Sequence, residues 1–208
     1  MLRVEPTEGG GHEYLHGDKR VPGVTEILDV AGMISHGGAS DFNLDRAADR
    51  GKMLHMAAED LDRGEDHTWI GAEWMPYLDG YQLFKQDFRF KPDLIEAPLW
   101  DSIHRYAGQI DRTGTVECRK AEVVNVTLDL KFTAAISAHV GLQLAGYNNF
   151  FPDAHARKRL VVRPTRNGKY EVQWCDEVDS YCHDVCTFFA ALTLAKWKDK
   201  KHNLGLWT

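Results

Sequence analysis

The sequence predicts a mixed α/β fold of the α+β kind, in which a central mixed sheet of about five strands is flanked by helices. First, a chain of 208 residues with 43% hydrophobic and 27% charged residues can bury one real core. Second, apolar residues recur at helical spacing before Pro92 and at strand-like spacing after it. Third, the segments follow the order helices, three strands, helix, two strands, helix.

The N-terminal half is predicted to be mainly helical. Residues 1–40 are rich in glycine and weakly patterned, so we expect them to pack as a segment on a single domain formed by residues 41–208. Within that segment a Pro-Gly turn precedes the apolar stretch 24–28, which predicts a short helix with Thr25 as its N-cap. Helical spacing of apolar residues predicts two further helices, over residues 41–62 and 73–90.

Beyond Pro92 the pattern changes to strands. Short segments of apolar and β-forming residues are separated by turn-like pairs at 101–102 and 113–114, which predicts an antiparallel meander of three strands. A strong turn signal over residues 165–168 predicts a later hairpin. The predicted strands cover residues 94–100, 102–111, 121–131, 157–163 and 169–174, and the predicted helices cover residues 134–150 and 177–198.

Several classes of protein are disfavoured by composition. No apolar run approaches the ~20 residues that a membrane helix needs. The first twenty residues lack the apolar centre of a signal peptide. Four cysteines in a chain of this length are too few for a disulfide scaffold. We therefore expect a globular cytoplasmic protein with reduced thiols and no membrane partner.

The charge is unevenly distributed along the chain. The formal net charge of −6 argues against bulk attraction to nucleic acid. Residues 1–110, however, carry 11 Lys/Arg against 20 Asp/Glu, whereas residues 111–208 carry 14 against 11. A basic run in the second half is either a solvated strand face or a surface that attracts DNA. Its arginines are Arg157, Arg159, Arg163 and Arg166.

Two predicted strands end in groups that are typical of a metal site. Asp129 and Lys131 lie two residues apart and point to the same face of a strand, although a surface salt bridge also explains that pair alone. The preceding predicted strand ends at Asp111, which brings a second carboxylate to the same sheet edge. Adjacent carboxylates repel unless a cation or proton intervenes, and Mg²⁺ suits oxygen ligands. With Lys131 to stabilise negative charge or orient a water, such a site suits phosphodiester hydrolysis.

Two helical pairs add candidate residues. His55 and Glu59 are four residues apart on the first long predicted helix, so they share a face, and Gly51 one turn earlier allows a backbone or a phosphate to approach. Gln143 and Tyr147 form the same kind of pair on the helix that follows the third strand. Ordinary core or surface packing also explains each pair.

Taken in order, these motifs resemble those of the PD-(D/E)XK nuclease superfamily. Its RecB-like branch includes the mitochondrial genome-maintenance exonuclease, Cas4-type nucleases and many phage nucleases. That branch has a G-x-x-x-H helix, an upstream Glu, G-x-x-D and D-x-K strand ends, and a Q-x-x-x-Y helix. The resemblance extends over residues 21–197 and looks most like small phage-encoded members. The corresponding residues here are Gly51 and His55, Glu96, Gly108 and Asp111, Asp129 and Lys131, and Gln143 and Tyr147.

The resemblance implies a restriction-endonuclease-like core and a Mg²⁺ or Mn²⁺ site. The implied metal ligands are His55, Asp111, Asp129 and the backbone carbonyl of Leu130. Asp111, Asp129 and Lys131 are the implied catalytic residues, with Lys131 positioning or activating the attacking water. The implied supporting and DNA-contacting residues are Glu96, Gln143, Tyr147, Thr25, Glu59 and Thr133.

Two features depart from the family pattern. The family often places Thr or Ser directly after the lysine, whereas here Phe132 intervenes before Thr133. Some relatives bind an iron–sulfur cluster through one Cys before the histidine helix and three near the C-terminus. Three cysteines lie late in this chain but none precedes His55, so we expect no such cluster.

The resulting functional prediction is a metal-dependent deoxyribonuclease. The resemblance implies an exonuclease of phage-type DNA processing or recombination that acts on single- or double-stranded DNA ends. If a phage encodes it, the host cytoplasm is the expected location, and a recombination or replication protein is an expected partner. Two alternatives stay open: an inactive nuclease fold that binds DNA or a partner protein, and a hydrolase of RNA or of a small phosphorylated substrate.

Overall fold

The protein has a mixed α+β fold built on a five-stranded sheet flanked by helices, as the sequence predicts. The computed structural model describes residues 2–7, 12–34, 41–118 and 122–208, apart from the side chains of residue 6 and residues 41–48. The sheet has the order β4-β5-β6-β7-β8; β6 and β7 are parallel, and the other neighbours are antiparallel. Its strands are β4 (Lys91–Asp101), β5 (Tyr106–Glu117), β6 (Val123–Leu130), β7 (Lys158–Pro164) and β8 (Tyr170–Trp174).

Helices cover both faces of this sheet. They are α1 (Val24–Ala31), α2 (Asp41–Arg63), α3 (Met75–Asp87), α4 (Val140–Asn148), α5 (Cys175–Val178) and α6 (Tyr181–His202). On one face, side chains of α2 and α3 such as Leu54 and Phe84 pack against Leu128 of β6. On the other face, side chains of α1, α4 and α6 pack against Ile110 of β5 and Val161 of β7. The strands therefore lie between two hydrophobic layers.

The first residues form a second, small sheet that the weak sequence pattern did not predict. Its antiparallel strands are β1 (Leu2–Pro6), β2 (His12–His16) and β3 (Lys19–Val21). Tyr14 and Val21 of this sheet are buried against Ala107 of β5. Short strands with few buried residues leave little alternation in the sequence, which is why the pattern is weak.

Two helix predictions need correction. Thr25 is not an N-cap, because α1 already begins at Val24 and the extended residue before it is Gly23. The carboxylate of Glu26 accepts a hydrogen bond from the Gly23 N–H at 3.4 Å, which closes the first turn in place of a hydroxyl cap. The helix predicted over residues 134–150 is shorter, since α4 covers only Val140–Asn148.

The predicted turn at residues 113–114 is also wrong. Both residues lie inside β5, where Gly114 pairs with Pro92 of β4. A Cβ at Gly114 would lie 2.1 Å from the carbonyl oxygen of Lys91, so glycine is required there by the close approach of the two strands rather than by a turn. Because β5 continues to Glu117, Asp111 lies in the middle of its strand and not at the end.

The helices were also compared with the length and apolarity of a membrane span. Within the described residues, none is long and apolar enough to cross a bilayer.

Candidate active site

The pairing of β5 with β6 brings Asp111 next to the Asp129–Lys131 segment. Arg112 pairs with Leu128, so the same register places Asp111 opposite Asp129 one residue further along. The backbone N–H of Leu130 donates a hydrogen bond to Asp111 Oδ2 at 2.8 Å. This pairing across the sheet agrees with the predicted proximity of the two carboxylates.

A histidine and two carboxylates converge at this point of the sheet. His55 Nδ1 lies 3.7 Å from Glu96 Oε1 and 3.8 Å from Asp111 Oδ2. One ligand atom from each of the three residues lies within 4.8 Å of the other two. The two measured separations exceed hydrogen-bond distances but are compatible with ligands of one ion, since atoms about 2.1 Å from a cation are at most about 4.2 Å apart. The geometry therefore fits a divalent cation between His55, Glu96 and Asp111.

Asp129 and Lys131 form an ion pair beside this group. Lys131 Nζ donates a hydrogen bond to Asp129 Oδ1 at 2.9 Å and lies at the same distance from Oδ2. Asp129 Oδ2 is buried, and among the described residues its one partner is the Lys131 ammonium, which is placed for an ion pair rather than for a well-directed hydrogen bond. A buried carboxylate oxygen with a free lone pair suits a cation. Asp129 is nevertheless not among the three residues whose ligand atoms lie together, whereas Glu96, which we expected only to support the site, is.

The pKa values in this cluster follow from burial and mutual charge. Burial raises the pKa of Asp111 to about 6, and the nearby charges of Asp129 and Glu96 add to the rise while His55 opposes it. Burial would raise the pKa of Glu96 too, but His55, Arg112 and Gln109 lower it to about 2. The pKa of His55 is raised, because the attraction of Asp111 and Glu96 outweighs burial.

Lys131 stays protonated for a similar reason. Burial lowers the pKa of its ammonium, but the charges of Asp129 and Asp111 outweigh that effect and raise the pKa above its ordinary value. A protonated lysine beside two carboxylates supplies positive charge and hydrogen-bond donors, which suits stabilisation of developing negative charge.

A buried arginine that the sequence did not single out holds Glu96 in place. Arg112 of β5 is fully buried and donates from Nη1 to Glu96 Oε1 at 2.7 Å and from Nε to Asp62 Oδ2 at 2.6 Å. Gln109 donates to the other oxygen, Glu96 Oε2, at 2.9 Å. Asp62 also accepts a hydrogen bond from the Tyr81 hydroxyl at 2.8 Å. An arginine in the middle of a central strand was the available signal, since such a charge is rarely buried without a partner.

The backbone of Glu96 is strained. Its φ angle is +46°, in the left-handed region that residues other than glycine rarely adopt. Glu96 follows an irregularity in the register of β4 against β5, between Pro92 and Ile95. Strain of this kind costs on the order of 1–3 kcal/mol and is concentrated at functional sites. The register irregularity and the strained backbone together bring Glu96 toward His55, and the strain lowers the stability of the fold.

Gln143 and Tyr147 are buried and form a hydrogen-bonded unit with Thr25, which is exposed. Gln143 Nε2 donates to the Tyr147 hydroxyl at 3.2 Å and to Thr25 Oγ1 at 3.4 Å, which ties α4 to α1. Gly108 allows this packing, because a Cβ there would lie 2.5 Å from Tyr147 Cε1. The contacts agree with a supporting role for these residues next to the strand that carries Asp111.

Two other predicted residues have local partners instead. Glu59 pairs with Arg63 at 2.7 Å on the surface of α2. The Thr133 hydroxyl donates to the carbonyl oxygen of Ala135 at 2.8 Å, which shapes the segment after Lys131. Neither residue belongs to the group of three residues, His55, Glu96 and Asp111, whose ligand atoms converge.

The basic run is not a free cationic surface, and for Arg159 that prediction is wrong. Arg159 is fully buried and is neutralised by Asp176 and Asp184, because its strand position points toward α6 and not toward solvent. Of the others, Arg166 is exposed in the hairpin turn, whereas two are paired: Arg157 with Asp153 at 3.2 Å, and Arg163 with Glu171 at 2.6 Å.

A cavity of about 290 Å³ opens beside the cluster. Gly51 leaves open space in it, since a Cβ there would meet no atom within 4 Å. The ring of Phe132 packs edge-on against His55, with 5.2 Å between the ring centres. A larger cavity of about 980 Å³ lies toward the opposite end of β6, near Val124, and has none of the clustered residues in its wall. The smaller cavity is lined by Arg50, Gly51, His55, Leu130, Lys131, Phe132 and Thr133.

The chain was also compared with known protein families and with curated proteins. No protein-family model and no curated protein matches it.

Proposed function

We propose that this protein is a metal-dependent nuclease that hydrolyses phosphodiester bonds of DNA. The observation that carries the proposal is the convergence of His55, Glu96 and Asp111 within 4.8 Å, directly beside the Asp129–Lys131 pair. A cation site next to a protonated lysine suits hydrolysis of a phosphodiester, in which negative charge develops on the phosphate oxygens.

Each residue of the site has a proposed role. His55, Glu96 and Asp111 hold the cation, and Asp129 and the carbonyl of Leu130 are further ligands. When bound, Mg²⁺ or Mn²⁺ acts as a Lewis acid and activates water. An imidazole ligand suits Mn²⁺ better than Mg²⁺, which favours Mn²⁺ in assays. Lys131 orients the attacking water and stabilises the charge on the phosphate. Arg112 and Gln109 hold Glu96 in position through their hydrogen bonds to its two oxygens.

The choice of DNA, and of an exonuclease, rests on the order of the motifs from His55 to Tyr147 and on their resemblance to the RecB-like nucleases. The role in phage-type DNA processing, the recombination or replication partner and the cytoplasmic location stay predictions from the same resemblance.

The test is digestion of end-labelled linear and circular DNA with Mn²⁺, and with EDTA in its place. We expect linear DNA to be degraded, circles to stay intact and EDTA to abolish activity. Replacing Lys131 by Ala removes the ammonium from the site, so kcat should fall by about 10²–10³-fold. Lys169→Ala, which removes an exposed hairpin lysine, is the matched control and should retain full activity.

Four outcomes would contradict the proposal. Full activity in Lys131→Ala, or activity that persists in EDTA, would exclude this site as the catalytic centre. Salt-sensitive binding of DNA that stays intact in Mn²⁺ would instead support a binding module on a nuclease fold. Cleavage of RNA but not of DNA of the same sequence would assign the substrate to RNA.

A further inference from the structure

One arginine beside the candidate site has no anionic partner among the residues that the structure describes. Arg50 of α2 lines the 290 Å³ cavity together with Gly51 and Lys131. Its Nε atom is buried, and no described residue accepts a hydrogen bond from it. A buried donor without an acceptor is unfavourable, and more so when it carries charge. A ligand that satisfies this donor would therefore be bound favourably.

Arg50 differs from the other buried or half-buried arginines of the described chain, each of which has an acidic partner. Arg112 is held by two carboxylates, and so is Arg159. Arg157 and Arg163 each have one acidic partner. The acidic first half of the chain offers many carboxylates, yet none of those described pairs with Arg50.

The wall of the cavity has the composition of an anion site. It contains the two basic residues Arg50 and Lys131 and, among the described residues, no acidic one. The carboxylates of Glu96 and Asp111 belong to the adjacent metal-ligand group instead. Gly51 keeps the space next to Arg50 open, because a Cβ there would have no neighbour within 4 Å. A guanidinium presents donors in a planar fork that matches two oxygens of one phosphate.

We propose that Arg50 binds a backbone phosphate of the nucleic acid in this cavity and so positions the strand against Lys131. The inference rests on the proposed nuclease function and names the residue that anchors the substrate there. Arg50 contributes substrate affinity, whereas His55, Glu96 and Asp111 contribute the metal site.

The test measures DNA binding separately from cleavage. Binding of a fluorescent single-stranded oligonucleotide to the full chain is followed by anisotropy in EDTA, where the metal-dependent reaction is absent. Arg50→Gln should weaken binding by about 10–100-fold, because charge-assisted hydrogen bonds to phosphate are lost. It should also lower the salt dependence of log K by roughly one phosphate contact. Arg50→Lys should restore part of the affinity, since it keeps the charge but loses the fork.

Arg63→Gln is the matched control, because it removes an arginine from the same helix that is paired on the surface with Glu59. It should bind DNA like the wild type. With Mn²⁺, Arg50→Gln should raise KM more than it lowers kcat. Its thermal stabilisation by Mn²⁺ should equal that of the wild type, which a general disruption of the site would not allow.

The outcomes separate this inference from the proposed function. Unchanged DNA affinity in Arg50→Gln overturns the inference, even if the wild type cleaves DNA. Arg50-dependent binding without any cleavage by the wild type supports the inference and contradicts the nuclease. A second experiment is calorimetric titration with inorganic phosphate. If phosphate binding depends on Arg50 but DNA affinity does not, the cavity binds a free anion and the assignment to nucleic acid is overturned.

Discussion

Asp111 is predicted to destabilise the metal-free protein, and replacing it by Asn should therefore increase stability. The carboxylate is buried close to Asp129 and Glu96, and its pKa is raised to about 6. Its one described hydrogen bond is accepted by Oδ2 from the Leu130 N–H at 2.8 Å. An Asn side chain keeps an oxygen for that bond and removes the charge, so Asp111→Asn isolates the electrostatic cost.

The magnitude follows from the pKa. The rise from 3.8 to about 6 means that the folded protein binds the Asp111 proton more tightly than the unfolded chain does. Stability is therefore lost as pH rises from about 4 to about 6, and the full loss is present at pH 7.5. Each pKa unit corresponds to about 1.4 kcal/mol, so ionisation of Asp111 lowers the free energy of unfolding by at most about 3 kcal/mol. Relaxation of neighbouring side chains reduces the gain, and we expect Asp111→Asn to be about 1–3 kcal/mol more stable.

The assay is urea unfolding in EDTA at pH 7.5 and pH 5. The stabilisation of Asp111→Asn should be larger at pH 7.5, since the wild-type carboxyl is then ionised. Asp62→Asn is the control, because Asp62 is fully buried between Arg112 and Lys85 and the loss of its charge should cost about 3–5 kcal/mol. If Asp111→Asn unfolded at a lower urea concentration than the wild type in EDTA at pH 7.5, the cost assigned to burial and repulsion of the Asp111 charge would be incorrect.

Two further predictions concern metal binding and packing. Mn²⁺ at 100 times its dissociation constant should stabilise the protein by about 2.7 kcal/mol and raise Tm by about 5–10 °C in differential scanning fluorimetry, whereas Asp111→Asn should show little shift; an equal shift in both proteins would place the ion elsewhere. Gly108→Ala should lower the free energy of unfolding by about 1–3 kcal/mol in urea, because the new methyl group would lie 2.5 Å from the Tyr147 ring; an unchanged midpoint would show that the ring moves freely.

The sequence predicted the parts of the fold that rest on local patterns. Apolar spacing indicated α2, α3 and α6, and the change of period after Pro92 indicated the strands of the central sheet. The sequence-based prediction was wrong at Gly114. A glycine in a turn and a glycine that lets a paired strand approach closely cannot be distinguished by sequence alone. The prediction also missed the N-terminal sheet, whose strands are too short to show alternation.

Part of the candidate site was also predictable, because it rests on local patterns along one strand and between neighbouring strands. Asp129 and Lys131 lie close together because they share a strand, and Asp111 joins them because neighbouring strands pair. The role of Glu96 as a converging ligand depends on a bulge and on a left-handed φ angle, neither of which has a signal in the sequence. The buried Nε of Arg50, which has no acceptor among the described residues, became recognisable only when the partners of the other arginines were known.

The sequence by itself determined the class of fold, the order along the chain of the strands in its central sheet and the residue types that meet near the D-x-K strand. These follow from periodicity and strand pairing, which depend on neighbours along the chain or across one ladder. The tertiary structure decided which charged side chains are neutralised in buried ion pairs and which are available to bind a ligand. Arg112 meets Asp62 across 50 residues and Arg159 meets Asp184 across 25. Pairings of that kind are set by the packing of helices on the sheet, so only the folded chain distinguishes a buried ion pair from a cation that is free to bind a ligand.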